Sequence, residues 1–240
     1  MTIMYQIISD KANLFLITVT ILVIFFPKPA FPDLKPDKGI AIIVYQGVQE
    51  ETPENTMAAF KRSVELGAAG LMVDVRCTKD KKPVLMRDET IDRTTDGKGR
   101  VDLLMYDELR LYDAGSWRNK QFKDEKVPLL SEVLAFCKAN ELKLILDVKQ
   151  FGIEKHIIPL VKKYDMLNLV YFWGALRNIK QLEPNLPINS LISVKYDEIT
   201  LDMRDYANVE QTHIMTSMIN SDDRELLINS INKKANIIAL

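Results

Sequence analysis

The sequence predicts an α/β domain built as a (β/α) barrel, and three observations carry the prediction. From residue 38 onward, short apolar runs rich in β-branched residues alternate with segments of helical period, the pattern of parallel strands joined by crossover helices. One of those runs, residues 71–77, is two-faced: Leu71, Val73 and Val75 share an apolar face, while Met72, Asp74 and Arg76 share the other. A chain of 240 residues is also long enough for one domain of this size.

The elements follow in order. Residues 40–46 form a first strand. Thr52 caps a helix with Pro53 at its first position, Met57, Phe60 and Val64 recur at helical spacing, and Gly67 ends it. Residues 71–77 are the second strand. Its apolar face meets the outer helices, so Asp74 points into the barrel mouth. Residues 78–83 turn and residues 84–87 return as a short strand. The link is too short for a crossover helix, so the pair is an antiparallel hairpin, and residue 87 folds back beside Asp74. Pro128 opens a helix over residues 131–140, with Ser131 as its cap. Residues 142–149 form a strand with Asp147 and Lys149 on one face and Leu144, Leu146 and Val148 on the other. Residues 157–164 are helical despite Pro159, and residues 169–173 are extended. Residues 176–182 are helical, residues 188–193 extended, and residues 213–218 form the last strand.

A formal net charge of -1 offers no bulk basicity that would point to nucleic acid. Cys77 and Cys137 are the only cysteines, and their spacing suggests neither a metal site nor a disulfide framework; both read as buried free thiols. His156 and His213 are the only histidines. No Asn-x-Ser/Thr acceptor occurs, so glycosylation is silent on compartment.

Ahead of the domain, residues 12–26 carry no charge; Asp10 and Lys11 precede them, and Pro27, Pro29, Pro32 and Pro36 follow. Residues 1–27 are read as a hydrophobic membrane anchor, residues 28–38 as a proline-rich linker, and residues 39–240 as the barrel domain. A single-pass helix needs about 20 apolar residues. That length is reached only if residues 1–9 extend the run across Asp10 and Lys11, whose charges pair or snorkel. A cleaved signal peptide competes, though no small-x-small site follows within residues 27–33. A buried strand is the third reading, weakened by the prolines that detach the run. The flanking charges do not set an orientation.

Residues 45–99 hold a signature. It runs Pro53-Glu54-Asn55-Thr56, then Val73-Asp74-Val75-Arg76-Cys77-Thr78-Lys79-Asp80, then Arg87-Asp88, then Arg93-Thr94-Thr95-Asp96-Gly97-Lys98-Gly99. Singly, the first is a helix start and the last a turn. Together with Asp147-x-Lys149 and the matching intervals, they resemble the glycerophosphodiester phosphodiesterase family, whose pattern reads H-R-G, P-E-N-T, E-x-D-V-x-x-T-x-D, H-D, R-T-T-x-G-x-G. The resemblance covers residues 40–193 well and 213–218 weakly. It implies a TIM-type barrel, metal-dependent hydrolysis of glycerophosphodiesters in lipid metabolism, magnesium or calcium as cofactor, and a single-pass membrane protein whose domain lies on the lumenal or extracellular side. Only about twenty residues separate residue 193 from residue 213, where a barrel places three further crossovers of about 10 to 12 residues each. About two βα units are therefore expected to be missing, leaving the barrel incomplete with unpaired edges.

The resemblance also assigns a site. The family ligates its cation with both acids of E-x-D and the Glu of a later E-x-K, uses two histidines as acid and base, and holds phosphate with an Arg and a Lys. Asp74 and Asp147 fall on metal positions here. Met72 replaces the third ligand, and a thioether suits neither magnesium nor calcium. Lys149 falls on the phosphate-contacting lysine, and Gln46 replaces the arginine. Tyr45 and Arg87 occupy the two histidine positions. Tyrosine titrates near 10 and arginine above 12, so neither is a ready base at neutral pH. One positioned acid or base is worth about 10²–10⁴-fold. Arg87 still offers a guanidinium to phosphate. His156 and His213 match neither catalytic position.

Three functional readings are open. The first is a membrane-anchored family member with lost or much reduced activity that binds a glycerophosphodiester or phospholipid head group, or a protein. The second is an active diesterase with an altered site built from Asp74, Asp147, Lys149 and Tyr45. The third is a truncated product with no independent function.

Overall fold

The computed structural model describes residues 41–173, 176–184, 191–193, 213–217 and 237–239. The anchor and linker expected over residues 1–38 lie outside them. Among the described residues no helix is long and apolar enough to cross a membrane.

Among the described residues eight strands form one sheet: β1 (Ala41–Tyr45), β2 (Gly70–Cys77), β3 (Pro83–Leu85), β4 (Lys143–Val148), β5 (Val170–Trp173), β6 (Leu191–Ser193), β7 (His213–Ser217) and β8 (Ile237–Ala239). Their spatial order is β5-β4-β2-β1-β8-β7-β6, with β3 paired to β2 off this path. The β2–β3 pair is antiparallel, the expected hairpin. Removing β3 leaves seven parallel strands among the described residues. That corrects the sequence reading, which counted six and ended at residues 213–218. The seventh, β8, lies between β1 and β7 and pairs parallel with both. Against the eight parallel strands of a full barrel, the described residues account for seven, one more than the sequence reading counted. Ile237-Ile238-Ala239 escaped the sequence reading because three apolar residues carry no period that separates strand from coil.

The helices are α1 (Met57–Glu65), α2 (Tyr106–Leu109), α3 (Leu130–Ala139), α4 (Glu154–Lys163, spanning Pro159) and α5 (Leu176–Leu182). The outer core lies between helices and strands: Leu71, Val73 and Val75 of β2 and Leu144 and Leu146 of β4 pack with Phe60, Leu134, Cys137, Ile157 and Val161. Cys77 and Cys137 are free and buried, as expected. Inside the sheet, Ile43, Met72, Ile145 and Tyr171 form a separate cluster. A third cluster, including Val84, Ile91, Val101 and Leu109, supports the segment that follows β3.

Two helix starts differ from expectation. The N-cap of α1 is Thr56, whose side chain accepts from the Ala59 N–H; Thr52 instead donates its hydroxyl to the Val48 carbonyl at 2.7 Å. The helix cannot begin at Pro53, because Asn55 takes a left-handed φ of 55°. In α3 the first turn starts at Leu130, and the Glu132 carboxylate accepts from the Leu129 N–H at 2.7 Å, so Ser131 is not the cap.

Candidate active site

Period-2 alternation puts the reactive side chains on the inner face of the sheet. Asp74 and Asp147 are register partners on β2 and β4, and Met72 is level with Tyr45 and Ile145. Asp74 is fully buried. Its Oδ1 accepts from the Tyr45 hydroxyl at 3.1 Å and lies 3.2 Å from Lys149 Nζ. Its Oδ2 accepts from Asn55 Nδ2 at 2.9 Å and from Gln46 Nε2. Lys149 Nζ also reaches Asp147 Oδ2 at 2.6 Å, so one ammonium bridges two carboxylates.

The electrostatics keep these protons in place. Burial, reinforced by the charge of Asp74, pushes the Tyr45 phenol well above its ordinary value of 10. Tyr45 is therefore a hydrogen-bond donor and no base. Burial works against the Lys149 ammonium, but Asp147 and Asp74 outweigh it and raise its pKa, so it stays charged. Burial raises the Asp147 pKa, with Lys149 opposing.

The turn after β1 aims Gln46 inward. Gln46 and Gly47 both have positive φ, 59° and 90°. The Gln46 N–H donates to the Met72 carbonyl at 2.7 Å, and its own carbonyl accepts from the Asn55 N–H at 2.8 Å. A Cβ on Gly47 would stand 2.3 Å from the Cβ of Ala59 in α1, so this glycine is needed for packing whatever side chains precede it. Gln46 is wholly buried, and its Oε1 has no partner among the described residues.

The structure thus brings Tyr45, Gln46, Asp74, Asp147 and Lys149 together. Arg87 is exposed, and its charge acts on both Tyr45 and Asp147. Met72 lies one step down the strand in the apolar inner cluster. His156 sits on α4 and takes no part in these contacts. Sequence reasoning missed Asn55. It was read as part of a helix start, yet its amide donates to Asp74 and its Oδ1 accepts from the Asp74 N–H at 3.3 Å. An asparagine immediately before a capping threonine was the available signal, since asparagine tolerates the left-handed region.

Other signature residues hold one another. Arg93 makes a bidentate pair with Glu54, both bonds 2.7 Å, and reaches Asp88 at 2.6 Å, which ties three motif segments together. Asp80 accepts from Thr78 Oγ1 at 2.7 Å and the Tyr106 N–H at 3.0 Å, and pairs with Lys82 at 3.1 Å. Burial opposes ionisation of Asp80, but these bonds outweigh it and lower its pKa to about 2. A depressed carboxylate stabilises the fold above its unfolded pKa of about 4, and that contribution is lost as pH falls through the folded value. Thr78→Ala is expected to move the Asp80 carboxyl toward 3.8 and to weaken the fold on the acid side, read by a carbon NMR titration of Asp80. An unmoved titration would remove Thr78 as a cause.

The residues present do not fit a hard divalent cation. Such an ion wants six or more oxygen ligands. Here both Asp74 oxygens already accept from side-chain donors, and Lys149 stands between the two carboxylates. Among the described residues no group of three or more His, Cys, Asp or Glu could hold a metal ion.

Residues 46–238 match the glycerophosphoryl diester phosphodiesterase family. A glycerophosphodiester phosphodiesterase of Caldanaerobacter subterraneus is 36% identical over 159 residues, covering 62% of this chain and 65% of that protein. Glycerophosphodiester phosphodiesterase 1 of Rattus norvegicus is 35% identical over 185 residues, covering 75% of this chain and 51% of that protein. The chain therefore spans about half to two thirds of the length of these curated relatives. A glycerophosphodiester phosphodiesterase from Agrobacterium tumefaciens has a similar fold, with TM-score 0.75 at 21% identity over 84% of this chain and 96% of that one. An Oleispira antarctica phosphodiesterase in complex with sn-glycerol-3-phosphate has TM-score 0.67 at 23% identity over 83% of this chain and 92% of that one. With its signature residues locked together on a parallel α/β sheet, the chain belongs to the glycerophosphoryl diester phosphodiesterase family.

Proposed function

We propose that this chain binds glycerophosphodiesters at the mouth of its barrel and has lost, or nearly lost, the hydrolysis its family performs. The observation that supports this most directly is the Lys149 ammonium between Asp74 and Asp147, 3.2 Å and 2.6 Å away. A lysine there supplies one fixed positive charge in place of a divalent ion. Its charge is taken up by the two carboxylates it bridges, and it activates no water and bridges no two oxygens of a displacement. The acid and base positions support the same reading. Tyr45 is held protonated, and Arg87 stands where the family pattern has its second histidine. Magnesium or calcium binds weakly at best, since either must displace Lys149. Residues 1–27 serve as a membrane anchor that holds the domain near its lipid-derived ligands, on the lumenal or extracellular side.

The test is an assay of glycerophosphocholine hydrolysis with magnesium or calcium, run beside calorimetric binding of the same compound. Saturable binding without turnover above a chelated control is expected. Turnover that appears with metal and vanishes with chelator would replace this reading by that of an active diesterase with an altered site.

A further inference from the structure

Beside the Asp74 cluster lies a cavity of about 180 Å³, lined by β2, the segment after β3 and the loop following β4. Three cations face it: Arg76, Arg100 and Lys149. Two are spoken for. Arg100 pairs with Asp102 at 2.9 and 3.0 Å and with Glu89 at 2.8 Å. Lys149 is held by Asp147 and Asp74. Arg76 differs. Its Nε donates to the Arg87 carbonyl at 3.0 Å, and among the described residues its guanidinium pairs with no carboxylate. The rim carries Phe151, a large apolar side chain 86% exposed.

We propose that Arg76 is the principal phosphate-binding residue of this chain, at a subsite displaced from the motif's arginine position at Gln46 toward Lys149, and that Phe151 packs on the alcohol portion of the ligand. The free edge of a guanidinium matches the two non-bridging oxygens of a phosphodiester. The open cavity admits a small water-soluble phosphate ester. Gln46 cannot take the role, because it is wholly buried and its amide already serves Asp74. The inference rests on the reading that the chain binds glycerophosphodiesters, and it names the residue that does so.

Calorimetry on the full chain in detergent, with glycerophosphocholine and with inorganic phosphate, tests it. Arg76→Gln is expected to weaken both on the order of tenfold to a hundredfold, as loss of a charged hydrogen-bonding group does. Arg76→Lys should recover part of the loss, since it keeps the charge without the fork. Phe151→Ala should weaken glycerophosphocholine and leave phosphate unchanged. Arg110→Gln, which removes the same charge from an exposed helix end, should change neither. A matching thermal unfolding transition shows that Arg76→Gln is folded. Wild-type binding that survives Arg76→Gln overturns the inference and leaves the functional reading standing. Arg76-dependent binding of phosphate without glycerophosphocholine upholds the anion subsite and removes the functional reading. Binding of neither probe removes both.

Discussion

Asp74→Ala is expected to destabilise the protein by about 3–5 kcal/mol, the range for removing one member of a buried ionic network. The distribution of the loss follows from the partners. Lys149 keeps Asp147 at 2.6 Å and is not stranded. Tyr45 is only partly buried and can turn its hydroxyl to water. Gln46 and Asn55 are buried, at 0% and 4% exposure, and each loses the acceptor of its amide. An unsatisfied buried donor costs about 1–3 kcal/mol, and two of them account for most of the total. Urea unfolding of the two proteins measures the difference. A loss below about 1 kcal/mol would mean that water fills the gap, and that Asp74 organises ligands more than it holds the fold.

Restoring the family's reactive residues is expected to produce the second large effect, a gain. Tyr45→His, Gln46→Arg, Met72→Glu and Arg87→His together should raise metal-dependent hydrolysis at least about 10²-fold over wild type, the lower bound for one positioned acid or base. The four positions are not equivalent. Tyr45 is partly buried and Arg87 exposed, so imidazoles fit there. An arginine at the buried Gln46 site would meet Asp74. Met72→Glu is the hazardous change, because Met72 packs with Ile43, Ile145 and Tyr171. A carboxylate placed there is costly unless a cation neutralises it. The fourfold variant should therefore unfold at lower temperature in chelator and recover when calcium is added, as any ligand selective for the native state requires. Thermal scans with and without calcium read this apart from turnover. A folded, calcium-stabilised variant without activity would place the deficit elsewhere in the barrel and not in the four side chains.

Much of the fold was legible because its signals are local. The two faces of residues 71–77, the hairpin that returns residue 87, and the apolar side of residues 142–149 all follow from alternation and link length. The outer core bears them out. The misreadings arose where a side chain is claimed from far away. Asn55 is nineteen residues from Asp74, and its bonds to that carboxylate hold it in a left-handed turn that no helix-start rule anticipates. The strand at residues 237–239 is too short to announce itself, and only pairing with β1 and β7 makes it one.

The sequence by itself determined the family, the parallel α/β architecture, the strand faces that carry Asp74 and Asp147, and the tyrosine and arginine at residues 45 and 87 where the family pattern has histidine. All of these depend on residue identity and spacing along the chain. Tertiary structure decided what those positions amount to. Charges interact through space, so only the fold could place Lys149 between Asp74 and Asp147, surround Asp74 with the donors of Tyr45, Gln46 and Asn55, and leave Arg76 beside an open cavity with no carboxylate paired to it among the described residues.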